Sequence, residues 1–478
     1  MDKNGLFTYL DTHAAFFTEL SDWLWAHPEL SLCEYQSAAR YCDALEQLGF
    51  HVERGIAGIE TAFCGSYGSG RPVIGILGEY DALSGLSQQA CAVTQEPVEA
   101  GGAGHGCGHN LLGAGALAAA AAIRAYLEEK GEGSGTVIFY GCPGEEGGAG
   151  KAFMAREGMF RTLDAALTWH PSDVNEVVTG SCLASYQVEY RFHGVAAHAA
   201  GCPHLGRSAL DALELMNMGA QFLREHIPPH NGLHYAITDS GGRSPNVVQP
   251  TAQVLYMLRS DSVPNILKLA ERVDDLARGA AIMTGTRFTR RFIDGTADVL
   301  PNRVLEELAY ENFAAAQLPQ YTPDEISYAQ AITDTCTPDG VVGFASGFDA
   351  EIADFARTAS DDGKKPINDF LMPLWHSGMI SAGSTDVGDV SRQTPTLQIH
   401  TATWPSWTPG HSWQAVSAGK SSIAHKGMLL AARVLAATAW ELYEQPTLLT
   451  AARAAFTKAN RDGYVCPIPA DAKPVVAG

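Results

Sequence analysis

PVIGILGEYD, residues 72–81, begins as an unbroken apolar run and ends on Glu79-Tyr80-Asp81. A run without alternation suits a strand covered on both faces, the condition of a parallel sheet lying between helices. Two later stretches repeat the design. TVIFY, residues 136–140, hands over to GCPGEEGG, and AALTW, residues 165–169, hands over to His170-Pro171. Between the first two strands a helix is expected over residues 111–130. Its apolar core, residues 111–123, is alanine-rich, ends at Arg124 and is too short to span a bilayer. Buried strand, polar loop and helix in alternation predict an α/β class with a mostly parallel sheet and helices on both faces.

The carboxyl ends of such strands are where open sheets place their ligands. Asp81, the pair Glu145-Glu146 and His170 therefore converge on one sheet edge, and the loop GGAGHGCGHN, residues 101–110, adds Cys107 and His109 between them. Cys-x-His is weak on its own, because a chain with 16 His and 10 Cys produces such pairs by chance. In this company both side chains are candidate ligands, the thiolate soft and charged, the imidazole neutral. His411, in the Pro-Gly-His turn before a late helix, is a fifth candidate beside Cys107, His109, Glu146 and His170. Five ligands exceed the needs of one four-coordinate catalytic ion and suit two ions about 3.5–4 Å apart. Glu145, next to a ligand, could shuttle a proton from water to a leaving amine, which points to amide hydrolysis. No nucleophile elbow, P-loop or dinucleotide fingerprint competes.

The 478 residues suffice for two or three domains, and 46% hydrophobic with 18% charged residues is ordinary globular composition. A formal charge of -21 disfavours nucleic acid and anionic membranes as partners. Scattered cysteines and a start without a signal-peptide pattern place the chain in the reducing cytoplasm. Residues 7–48 carry helical spacing broken at His27-Pro28-Glu29, where His27 reads as a helix end. At about residue 182 the pattern changes. Residues 184–194 and 251–259 alternate as half-exposed antiparallel strands, helices are expected over 206–226 and 263–281, and another strand near 286–293. This is a small α+β unit inserted into the larger one. The expected division is 1–182, 183–296 and 297–478, with hinges near 182 and 296. After a helical stretch from 301, residues 320–380 read as polar loop; a strand at 396–401 and a long helix that stops near Pro446 follow.

The runs GEYDALSGLSQQA, GHGCGHNLLGAGA, FYGCPGEEGGAGKAFM, ALTWHP, GVAAHAA, PHLGRSALDAL, SPNVVQ, STDVGDVS and SIAHKGMLLAA resemble the aminoacylase and carboxypeptidase family of dinuclear metallohydrolases. The resemblance runs from near the start to the CPIP stretch at 466–469. It implies a zinc-exopeptidase-like catalytic domain split by a lid and dimerisation domain. It makes Cys107 the bridge between two divalent metal ions, Zn or Mn, with His109 and His170 completing one site and Glu146 and His411 the other. Glu145 becomes the general base and Asp81 the acid that orients a ligand from behind. His198 would steady the oxyanion in a partner's site, while Asn246 and Arg259 would grip the substrate carboxylate, for which an arginine fork is suited. Two positions depart from the pattern: Asn110 stands where many relatives have aspartate, and Glu79 where distant ones have a histidine ligand. The implied substrate is an N-acyl amino acid, first of all p-aminobenzoyl-glutamate in folate breakdown. Other N-acyl amino acids remain an alternative, since the second cationic contact glutamate needs is unidentified beyond Arg207 or Arg243. The implied assembly is a homodimer or a heteromer with a related chain of a second type, in which a non-catalytic role for this chain is the rival from another class.

Overall fold

The computed structural model describes residues 1–337, 348–376 and 378–475. In chain order the strands are β1 (His51–Arg54), β2 (Phe63–Ser69), β3 (Val73–Glu79), β4 (Gly135–Cys142), β5 (Ala165–Ser172), β6 (Glu176–Val177), β7 (Ser181–Cys182), β8 (Ala184–His193), β9 (Gly232–Asp239), β10 (Thr251–Ser260), β11 (Arg287–Thr296), β12 (Ile380–Ser381) and β13 (Thr396–Ala402). The large sheet has the order β1-β2-β4-β3-β5-β13-β6. Its centre, β4-β3-β5-β13, is parallel, and its edges pair antiparallel.

The three apolar runs fall on β3, β4 and β5, and each serves two cores at once. Ile74, Ile76, Val137, Phe139, Leu167 and Trp169 pack with the His109–Lys130 and Ser422–Glu444 helices. Their neighbours Leu77, Tyr140 and Ala166 join Phe153 and Met154 of the Gly150–Arg156 helix on the other face. Alternate side chains of a strand point to opposite faces, so a strand covered twice has no polar positions to spare. The α/β class with helices on both faces follows from this. The His109–Lys130 helix is long and apolar enough to cross a membrane, yet 89% of its apolar window is buried inside the protein. It is the central helix of the core.

That helix approaches β3 closely because both surfaces are glycine there. A Cβ on Gly113 would meet the Glu79 carbonyl at 2.6 Å and the Tyr41 hydroxyl at 2.2 Å, and one on Gly78 would meet the Gly113 Cα at 3.3 Å. The contact seats the helix start, with His109, against the strand end that carries Glu79 and Asp81.

A second sheet of order β11-β8-β10-β9, antiparallel throughout, is covered by the helices Ala209–Arg224 and Val263–Thr284. Its strand β10 alternates half-buried and buried residues without exception.

The 320–380 segment departs from its reading as loop. It contains the helices Pro323–Thr333 and Ala350–Ala359. The first opens on a capping box, Thr322 with Glu325, and a proline in its first turn; the second is capped by Asp349. Pro323–Thr333 is a mostly exposed helix with little apolar periodicity, whereas Ala350–Ala359 spaces Ile352, Phe355, Ala356 and Ala359 at helical intervals, a signal the loop reading passed over. Residues 338–347 and 377 of that segment lie outside the described residues. Pro446 likewise ends one helix but opens another, Pro446–Ala459, at a position where its missing N–H costs nothing. Gly113→Val should destabilise the protein by about 1–3 kcal/mol through overpacking. Chemical denaturation measures this, and an unchanged midpoint would contradict the close contact.

Candidate metal centre

Gly108 occupies the left-handed region, φ +75, immediately before the His109–Lys130 helix. Glycine adopts that conformation freely, and the reversal lets Cys107 and His109 serve neighbouring points in space. Two groups of ligand atoms result, each with its members within 4.8 Å of one another: Cys107, His109, His170, and Cys107, Glu146, His411. Cys107 belongs to both. A third group, Glu79, His109 and Glu145, lies against the first.

The candidate ligands other than Cys107 are held by hydrogen bonds from behind. The Nδ1 of His109 donates to Asp81 at 2.8 Å, and that of His170 donates to the Pro171 carbonyl at 2.7 Å. Both rings therefore turn Nε2 toward the cluster, the orientation a metal-bound histidine needs. The His170 Nε2 lies 3.3 Å from the Cys107 sulfur. Asp81 also accepts the Glu146 backbone N–H at 2.9 Å and the Ser31 hydroxyl at 2.7 Å. The His411 Nε2 lies 3.3 Å from Glu146 Oε1, and its backbone N–H donates to the Gly106 carbonyl at 2.9 Å. His411 itself has φ +58, a left-handed conformation that costs a non-glycine residue about 1 kcal/mol or more. The bond to Gly106 holds it there, so the late turn is pinned to the Cys107 loop.

Buried polar atoms without an aligned hydrogen bond are rare and call for an explanation. Here they include His109 Nε2, Glu79 Oε2 and Glu146 Oε1, all facing the cluster. His109 Nε2 and Glu79 Oε2 lie 3.2 Å apart, as His411 Nε2 and Glu146 Oε1 do at 3.3 Å, so these donor atoms crowd one another without aligned bonds. A thiolate, three imidazoles and carboxylates so gathered fit two divalent ions, with Cys107, His109 and His170 for one and Cys107, Glu146 and His411 for the other.

Sequence reasoning missed the charges that support this set. Lys151, fully buried, pairs with Glu79 at 2.8 Å and with Asp386, whose Oδ2 also accepts the Lys151 backbone N–H at 2.8 Å. Removing the cation would strand two buried carboxylates, a loss of about 3–5 kcal/mol. Glu34 accepts N–H bonds from Gly144 and Leu32, both at 2.8 Å, and so fixes the loop that carries Glu145 and Glu146. Burial, with Asp81 nearby, pushes its carboxyl up to about 8. A lysine inside the apolar run AGKAFMA and an aspartate inside STDVGDV were the available signals, since charges in such company need buried partners.

His198, Asn246 and Arg259 stand apart from the three ligand groups. His198 is exposed on the inserted sheet's flank, with Nδ1 accepting N–H bonds from Ala200 and Gly201 at 3.2 and 3.1 Å, and Asn246 lies beside it through its carbonyl, which accepts from the Ala199 N–H at 3.0 Å. Arg259 reaches back to the main unit, donating to the Ala382 carbonyl at 3.2 Å and the Ser384 hydroxyl at 2.5 Å. Arg207 and Arg243 are both exposed, and the Arg207 guanidinium rests on backbone carbonyls at 204 and 206.

In the metal-free protein burial holds the Cys107 thiol far above its ordinary value. Burial opposes the His109 cation, but Cys107 and the hydrogen-bonded Asp81 outweigh it and raise the ring well above the usual range. His170 is held down at about 4 by burial and by the neighbouring His109 cation. Near neutrality Cys107 thus carries a proton that ligation must remove, whereas His170 is already neutral. Metal uptake at pH 7 should release at least one proton, and apparent affinity should fall as pH is lowered. Calorimetry in buffers of different ionisation enthalpy reads this directly; uptake without proton release would contradict the assignment.

Comparison with known proteins bears on the same residues. Residues 75–369 match peptidase family M20/M25/M40. The chain is 44% identical over 467 residues, 96% of its length and 95% of the relative's, to the B-type component of p-aminobenzoyl-glutamate hydrolase from Escherichia coli. It is 30% identical to the Xaa-Arg dipeptidase of Mus musculus over 63% of this chain and 69% of that one. Among solved structures, an aminobenzoyl-glutamate utilization protein from Klebsiella pneumoniae superposes with a TM-score of 0.57 at 18% identity, covering 88% of this chain and 97% of that one. A dinuclear metal-binding peptidase of the M20 family from Bacillus subtilis gives 0.55 at 17%, covering 91% and 99%. These last two speak for the fold alone. With most of β3 and all of β4 and β5 inside the matched region, together with four of the five candidate ligands, the chain belongs to peptidase family M20/M25/M40 and is a hydrolase of amide bonds.

Proposed function

We propose that the chain is a dinuclear metal-dependent amidohydrolase that cleaves p-aminobenzoyl-glutamate to p-aminobenzoate and glutamate, a step of folate catabolism in the cytoplasm. The observation that carries the reading is Cys107 standing in two ligand groups at once, with Glu145 beside them. When bound, two divalent ions supply polarisation of the scissile carbonyl and a lowered pKa for the attacking water. Thiolate and imidazole favour zinc, and the carboxylate admits manganese.

Glu145 takes the proton from water and returns it to the leaving amine. Burial, with Glu79 and Asp386 nearby, raises its carboxyl well above the usual range, which suits a group that must hold a proton between two transfers. Arg259 and Asn246 bind the carboxylate of the amino acid, the guanidinium exchanging its neutral acceptors for two carboxylate oxygens. His198, exposed and outside this chain's own cluster, steadies the tetrahedral oxyanion in the site of a second chain. The inserted unit, 183–296 between the catalytic parts 1–182 and 297–478, is then both lid and dimerisation domain. Its outer face supports that role. Leu215, Met218 and Phe222 form an exposed apolar stripe on the Ala209–Arg224 helix, and β9, at the sheet's edge, exposes Tyr235 and Ile237. The partner is a second copy or a related chain of a second type. A relative from Haemophilus influenzae, named as a homologue of the A-type component of the same hydrolase, is 26% identical over 43% of this chain.

A second reading, a deacylase or dipeptidase for other N-acyl amino acids, draws on one observation: Arg207 and Arg243 are both exposed on the insert, and neither offers a fixed second contact for glutamate. Purified alone and loaded with metal, the chain should hydrolyse p-aminobenzoyl-glutamate faster than p-aminobenzoyl-alanine. Glu145→Gln should lower kcat by about 10²–10⁴ with metal content intact. Equal rates on the two substrates would favour the second reading. An inactive wild type would favour a non-catalytic partner, and an unaffected variant would remove Glu145 from the role of base.

A further inference from the structure

A cavity of about 440 Å³ lies beside the candidate ligand cluster, between β13 and residues of the 299–306 and 372–387 stretches. His400 lines it, opposite His170 in the register of β13 and β5, with the two rings 6.0 Å apart and edge to face. The cavity therefore begins one side chain away from a proposed ligand. Phe348, Met372 and Trp375 form an apolar wall, in which the Phe348 and Trp375 rings meet edge to face at 5.0 Å.

The charged groups of the lining are of one sign. Asp173, Glu176 and Glu306 face the cavity, and among the described residues no lysine or arginine does. Glu176 is held by the His400 Nδ1 at 2.8 Å, and Glu306 by the His376 Nδ1 at 2.9 Å. Arg259 stands at the rim, on Ser384, and Arg303 acts on Glu306 from outside the lining. A carboxylate finds a cation at that rim and only carboxyl groups on the lining. The two ends of an N-acyl amino acid are sorted accordingly.

We infer that this cavity receives the acyl half of the substrate, a flat aromatic ring carrying a hydrogen-bond donor at its far end, and rejects anionic acyl groups. The inference rests on the amidohydrolase reading and adds the acyl specificity to it. The aromatic wall matches a ring that prefers edge-on partners, and the carboxylates of Glu176 and Glu306 accept from an aromatic amine. A volume of this order holds a benzoyl group with room for ordered water.

The test uses the full-length protein without metal, so that binding is read apart from catalysis. Calorimetry with p-aminobenzamide, a neutral copy of the acyl half, should show saturable binding, and terephthalamate, which replaces the amine by a carboxylate, should bind roughly tenfold more weakly or worse. Val178, half-buried on the lining, offers a way to fill the space. Val178→Phe should weaken p-aminobenzamide binding about tenfold. In the metal-loaded enzyme it should lower the kcat/KM ratio of p-aminobenzoyl-glutamate to acetyl-glutamate by a similar factor. Equal binding of the two benzamides by wild type, or a folded Val178→Phe whose binding and ratio match wild type, would overturn the assignment. If wild type binds p-aminobenzamide but hydrolyses neither amide, the amidohydrolase reading fails while the cavity assignment stands.

Discussion

The carboxylate of Asp81 is the joint on which the site hangs. It sits at the end of a strand buried on both faces, takes the His109 ring on one oxygen, and takes the Glu146 backbone and Ser31 on the other. Burial alone would push it toward the neutral acid, but the His109 cation and these donors keep it ionised, down at about 2. A buried carboxylate so fully paired is rigid. Both ligand loops therefore take their position from a single group, and that group takes its position from β3. The glycines at 78 and 113 matter for the same reason, because they let the helix that begins at His109 settle onto the strand that ends near Asp81.

Around this joint the protein buries more charge than an apolar core tolerates without pairing. Lys151 answers Glu79 and Asp386, and Glu34 is tied to two backbone donors. The set leaves the atoms that face the cluster without aligned partners, which is the condition expected of ligands waiting for a cation. Stability is thus spent where the backbone is held, and His109 Nε2, Glu79 Oε2 and Glu146 Oε1 are among the buried atoms left without an aligned hydrogen bond.

Much of this was legible in the sequence, and physical reasons separate what was from what was not. The runs at 72–77, 136–140 and 165–169 could be read as central strands because nothing polar interrupts them. Strands of one parallel layer then had to deliver Asp81, Glu145, Glu146 and His170 to one edge. The Cys-Gly-His spacing added Cys107 and His109, and the change to strict alternation after 182 announced a sheet with one covered face. The pairing of Lys151 with Asp386 and of Glu34 with the Gly144 backbone was not legible, since the partners lie 235 residues apart in one case and 110 in the other. The helix Pro323–Thr333 escaped because an exposed helix of its composition shows its cap before any periodicity, whereas Ala350–Ala359 carries an amphipathic pattern that its short length and polar surroundings obscured. The roles of His198, Asn246 and Arg259 came from resemblance alone, and their positions on the insert carry no metal-side contact that could have been read in advance.

Everything proposed for the site depends on one thiolate serving two ions. Cys107→Ser, analysed for bound metal per chain after saturation and dialysis, tests that dependence most directly. The account predicts that occupancy of both sites falls together. Loss of one ion with full retention of the other would contradict it.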